Sequence, residues 1–118
     1  MKSIVYWRVF VNSTKESTVK KLLTPLLEVL GATAQVEKQE TYWKDSTLTE
    51  VNISQPIEFQ NFESELMGVL KTCSLISYNW YLTLPTGLSN TIGIEISGVA
   101  DATSMNGITW VSFDVVHE

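Results

Sequence analysis

Apolar residues recur along the chain at two spacings, one of strands and one of helices. From Ser3 to about Val11 both faces are apolar: Val5, Trp7, Val9 and Val11 alternate with Ile4, Tyr6, Arg8 and Phe10. Such a strand is usually central in its sheet. The segment "STKE" (Ser13 to Glu16) then offers a hydroxyl and a carboxylate three apart, a capping box that opens a helix. Val19, Leu22, Leu23, Leu26, Leu27 and Leu30 keep helical spacing, and Gly31 suits the C-terminal cap. Pro25 falls inside this span, so the helix either kinks or splits there.

Residues 34–44, "AQVEKQETYWK", are strand-like but weakly alternating and rich in charge, as an edge strand is. Lys44 to Ser46 is a turn, Thr47 to Ser54 returns as a partner strand, and Pro56 ends it. Phe62, Leu66, Val69, Leu70 and Cys73 mark the stripe of a second helix. In "SYNWYLTLP", alternation assigns Ile76, Tyr78, Trp80, Leu82 and Leu84 to one strand face and Tyr81 to the other. After the turn at Pro85 to Gly87, Ile92, Ile94 and Ile96 alternate with polar residues. The loop "SGVADATSMNG" leads to a last strand in which Val111, Phe113 and Val115 alternate with Trp110, Ser112 and Asp114.

The predicted order is β-α-β-β-α-β-β-β. Its first six elements follow the ferredoxin-like βαββαβ arrangement. The expected fold is therefore α+β: that core extended by two C-terminal strands, an antiparallel sheet with two helices on one face and the other face open.

The 118 residues suffice for one domain with its own core. A single cysteine, Cys73, excludes an internal disulfide and fits a reducing compartment. It lies on the second helix's stripe and reads as a buried small hydrophobe. The segment "MKSIVYWRVFVNST" has neither the apolar run nor the cleavage site of a secretory signal, so the expected setting is cytoplasmic. No stretch approaches the ~20 apolar residues of a membrane span.

Charge changes the picture more. The net charge is −5, and it is unevenly placed. Residues 1–58 balance seven bases against seven acids, whereas residues 59–118 set Lys71 alone against Glu63, Glu65, Glu95, Asp101, Asp114 and Glu118. Direct nucleic-acid binding is disfavoured, because it needs clustered Lys and Arg. A basic partner is favoured instead.

Motifs of catalysis are sparse. The one histidine, His117, sits where chains often fray and reads as solvated. Serine and cysteine nucleophiles that need a histidine are thereby disfavoured. Cys73 and His117 lack metal-ligand spacing, and the glycines form no phosphate-binding loop. Glu63 and Glu65, two apart, diverge on a helix and read as first-turn acids favoured by the dipole. The expectation is a protein that is not an enzyme and needs no cofactor.

What remains is the sheet face away from the helices. Parity places Tyr81, Glu95, Trp110 and Asp114 there, with Tyr6, Arg8 and Phe10 from the first strand. Aromatic residues among acids suit recognition of a partner. A second copy of the chain, or the loop at 98–107, are the other ways of covering that face.

The segments "YWRVFVN", "SYNWYLTLP", "IGIEISG" and "GITWVSFDVV" give the chain a Trp- and Tyr-rich sheet within a short acidic sequence. In this it resembles the immunity proteins of bacterial contact-dependent growth inhibition and related polymorphic toxin systems. The resemblance implies a protein that binds one cognate toxin domain, often a nuclease with a basic surface, and occludes its active or substrate-binding surface. On that expectation Glu95, Asp101 and Asp114 make charge contacts, and Tyr81 and Trp110 are anchors. A small-molecule-binding regulatory module and a structural homo-oligomer are the competing classes.

Overall fold

The computed structural model describes residues 1–84 and 96–118. Its elements are β1 (Lys2–Val11), α1 (Glu16–Leu30), β2 (Gln35–Thr41), β3 (Thr49–Glu58), α2 (Phe62–Ile76), β4 (Tyr81–Thr83), β5 (Ile96–Ala100) and β6 (Ile108–His117). The fold is α+β. The strands form one antiparallel sheet in the order β2-β3-β1-β6-β5-β4. β1 is central, as its two apolar faces require. The position on its far side from β3 belongs to β6, the last strand. The strand that follows α2, β4, lies instead at the far edge of the sheet beyond β5.

One face carries both helices. Val5, Trp7, Val9 and Val11 of β1 share a single buried cluster with Val19, Leu23, Leu26 and Leu30 of α1 and Val69, Cys73 and Ile76 of α2. Burying side chains of this size contributes about 1.5–3 kcal/mol each. Trp7 donates its indole N–H to Gln55 Oε1 at 2.9 Å, and Gln55 Nε2 donates to the Leu30 carbonyl at 2.8 Å. This buried relay satisfies one of the carbonyls left unpaired at the end of α1.

Several expectations change. Ser13 does not cap α1: Glu16 is its first residue, and the Ser13 hydroxyl accepts the Lys15 N–H at 3.2 Å instead. α1 runs unbroken through Pro25, which is exposed. The carbonyl that loses its partner to proline, on Lys21, therefore belongs to an exposed residue. Pro56 does not end β3, which continues to Glu58. β2 pairs only as far as Ser54, and beyond it the Pro56 carbonyl takes the Thr33 hydroxyl at 3.3 Å. The missing N–H points the same way as that carbonyl, past the end of β2, so no ladder bond is lost.

The largest change falls in "SYNWYLTLP". Ile76 closes α2 rather than opening a strand, and β4 spans only Tyr81 to Thr83. Tyr78 is 89% exposed and lies outside the core, while Leu82 and Leu84 are also exposed. Trp80 does pack inward. Its ring meets Trp7 and Phe113 at 6.5 and 5.5 Å between centroids, and its N–H donates to the Cys73 carbonyl at 2.8 Å. The helix holds through Ile76 because Val69, Cys73 and Ile76 stay on one face.

Candidate functional site

The face opposite the helices is a sheet surface whose rows follow from the strand register. Tyr6 lies opposite Ser54 on β3 and Asp114 on β6, and Asp114 lies opposite Ser97 on β5. In the next row Arg8 lies between Asn52 and Ser112, followed by Val99 and Tyr81. Phe10 lies between Glu50 and Trp110 in the third. Residues directly opposite in an antiparallel pair share a face. Tyr81, Trp110 and Asp114 are thus on the one face that parity assigned them. Glu95 lies outside the described residues.

Asp101 is elsewhere. It follows β5 in a loop tied to the end of α2, where Ser104 N–H donates to the Ile76 carbonyl at 2.9 Å and Ser77 Oγ donates to the Ala102 carbonyl at 2.7 Å. In the same loop Met105 packs against the core, and Gly107 adopts a positive φ beside Leu22 of α1. The loop therefore runs on the helix side, and residues 98–107 do not cover the open face.

Three aromatic rings close one end of this face. Phe10 stacks between Tyr42 and Trp110, with centroids at 4.5 and 5.0 Å. The Arg8 guanidinium lies over all three rings, 5.0 to 5.8 Å from their centroids, and its Nε meets Glu50 Oε2 at 2.5 Å. Phe10 is buried by this arrangement although it faces away from the helices. Trp110 is half-buried in it, and only part of its ring is free to meet a partner. Beyond Tyr42, Trp43 stands 81% exposed at the β2–β3 turn, with the Lys44 ammonium 5.0 Å from its ring. Neither Tyr42 nor Trp43 is picked out by alternation, because both follow the end of β2.

Two hollows flank Asp114. The larger, about 470 Å³, is lined by Tyr6, Arg8, Glu37, Asn52, Ser112 and Asp114 together with Trp7 and Ile53. The smaller, about 230 Å³, lies toward β4 and includes Tyr81, Ser97, Val99 and Trp110, again with Asp114. Tyr81 is 69% exposed at its rim. Lys38 pairs with Glu40 at 3.3 Å and Arg8 with Glu50. Among the described residues neither Glu37 nor Asp114 has a basic group within 4 Å.

The chain matches no family model, no curated protein and no solved structure. Its function is argued from its own surfaces.

A second cluster of reactive groups lies on the helix side. His117 is not a frayed residue: it pairs with Ser3 across β6 and β1, and its side chain is nearly buried. Its Nδ1 is 3.0 Å from Ser3 Oγ, and its Nε2 is 3.7 Å from Glu65 Oε2. Ser3 Oγ donates to Glu65 Oε1. Glu65, a first-turn acid as its position in the sequence suggests, is fully buried at 0% exposure. The turn is capped by Asn61, whose side chain accepts the Ser64 N–H at 2.9 Å. Serine, histidine and glutamate meet here, but Ser3 and Glu65 are closed to solvent. The cluster fastens α2 to the edges of β1 and β6.

Proposed function

We propose that the chain is an immunity-type inhibitor that binds a basic toxin domain, a nuclease by preference, through its open sheet face. Binding occludes the toxin's active or substrate-binding surface. The observation that carries the proposal is Asp114, a carboxylate without a basic neighbour among the described residues, set between two hollows on a face that the 98–107 loop leaves bare. Tyr6 and Tyr81 offer exposed aromatic area on either side, the residue type that dominates binding energy at protein interfaces. Five strand spacings of about 4.8 Å and strands averaging about 25 Å give a flat area of about 600 Å², so side chains at the rim must add to it to reach the ~800 Å² that each partner buries in an ordinary complex.

In this proposal the acids steer a cationic domain, and the tyrosines and Trp110 hold it once water is displaced. The protein acts without catalysis and in the cytoplasm, where a single buried thiol is stable. We further read β1, α1, β2, β3, α2 and β6 as a ferredoxin-like set into which the β4–β5 pair is inserted. Among the described residues no helix is long and apolar enough to cross a membrane.

The test is binding to the toxin domain encoded beside this chain's gene, measured across a salt series with the wild type and Asp114→Lys. The variant is expected to bind more weakly and with a flatter salt dependence. Unchanged affinity and slope in a folded variant would remove the open face from the interface.

A further inference from the structure

The larger hollow has a more specific chemistry than a general acidic surface. Trp7 and Ile53 point toward the helices, so its floor is the sheet backbone at those positions, and the exposed Tyr6 side chain lines it from the open face. Asp114 stands opposite Tyr6 on β6, and on the other side Ser54 Oγ donates to Glu37 Oε1 at 2.5 Å. An aromatic face thus lies between two carboxylates whose strands are three spacings, about 14 Å, apart. Asn52 and Ser112 add acceptor oxygens along the next row.

The cation that lines the hollow is already engaged, and Lys38, opposite Asn52 on β2, pairs with Glu40 at 3.3 Å. Arg8 leans away from Tyr6, with Nε on Glu50 and its guanidinium over Phe10, Tyr42 and Trp110. Its charge is neutralised within the next row, and Glu37 and Asp114 keep theirs. The hollow is therefore electronegative, walled on one side by a π-face, and open to solvent at about 470 Å³.

We propose that this hollow is a receptor for an arginine side chain of the protein partner. A guanidinium is planar, stacks on an aromatic face and donates from its edges in a fork. Laid on Tyr6, it presents those edges toward Asp114 on one side and Glu37 on the other. An ammonium lacks both the plane and the fork, so lysine is the poorer occupant. Arg8 over its three rings is an internal example of the same contact.

The proposal rests on the protein-binding role given above, but its test needs no toxin. N-acetyl-arginine amide, N-acetyl-lysine amide and N-acetyl-citrulline amide are titrated into the intact ¹⁵N-labelled chain at low salt. The arginine probe is expected to shift the amides of Tyr6, Asn52, Ser112 and Asp114, the lysine probe less, and the uncharged citrulline probe least. Asp114→Asn and Glu37→Gln should each weaken the arginine response roughly two- to fivefold, the range for a half-exposed ion pair. Equal responses to all three probes, lysine equal to arginine, or shifts that map elsewhere would each overturn the receptor. If arginine titrates the hollow but no toxin domain binds, the inhibitor role fails and the receptor stands. If a toxin binds the face while both variants leave its affinity unchanged, the receptor fails and the inhibitor role stands.

Discussion

Replacing His117 by alanine tests the buried cluster most directly. The substitution removes the Nδ1 partner of Ser3 Oγ, 3.0 Å away, and the group facing Glu65 Oε2 at 3.7 Å. Glu65 would then keep only the Ser3 hydroxyl while remaining fully buried. A buried polar group left short of a partner costs about 1–3 kcal/mol, and the space left by the imidazole adds to it. The 3.7 Å gap is wider than a hydrogen bond, and neither Glu65 Oε2 nor His117 Nε2 has another partner. Together the unpaired group and the lost packing put the cost at about 2–4 kcal/mol.

For a chain of this size each kcal/mol moves the melting temperature by about 4 °C, so His117→Ala is expected to melt about 8–16 °C lower. Urea unfolding followed by tryptophan fluorescence should show a lower midpoint with the slope unchanged. The control adds Ser3→Ala to the pair Glu65→Leu and His117→Leu, which removes all three polar groups together. It should recover most of the loss, because apolar replacement of a buried pair is often neutral or stabilising. A His117→Ala variant within about 0.5 kcal/mol of wild type would refute the reasoning, as would additive effects of the three substitutions.

Two further outcomes concern the core. Burial pushes the Cys73 thiol up to about 12, so in the native protein it should resist a thiol reagent at pH 8 and react only as the chain unfolds. Because its folded value is raised, the associated stability is complete below about pH 9 and should fall between pH 9 and 12, as the unfolded thiol ionises first. Gly98→Ala places a methyl 2.6 Å from Phe113 Cε1 and 2.8 Å from Leu82 Cδ2, and should lower stability by about 1–3 kcal/mol in the same urea assay. An unchanged midpoint would mean that both side chains give way freely.

Period-two alternation carried the open face well. It assigned Tyr81, Trp110 and Asp114 to one side before any pairing was known, because a strand allows only two directions. The same alternation holds the place of His117, which continues Val111, Phe113 and Val115 on the core side. Glu65 likewise lies on the α2 face of Val69 and Cys73. Both are legible by spacing, but a place near a strand's fraying end and a place in a helix's first turn each offer a simpler reading. Their partnership joins β1, α2 and β6 across 114 and 52 residues of chain, and no local pattern announces it. Trp43 and Glu37 were missed for another reason: a turn and a bulged edge strand break the alternation that parity relies on. The sheet order was illegible for the same cause at larger scale. Sequential strands usually pair, and here β1 waits for β6.

That placement governs how the protein is made. β1 emerges from the ribosome first, and it gains β3 as a neighbour only after residues 49–58 are synthesised. Its second edge stays bare until residues 108–117 follow. Through that interval a ten-residue apolar strand presents unpaired N–H and C=O groups to every nascent chain nearby. Trp7, at the middle of the strand, has its Phe113 neighbour arrive only with that last strand. Closure over so long a span is slow, and until β6 reaches β1 a strand of another molecule can pair with the same edge.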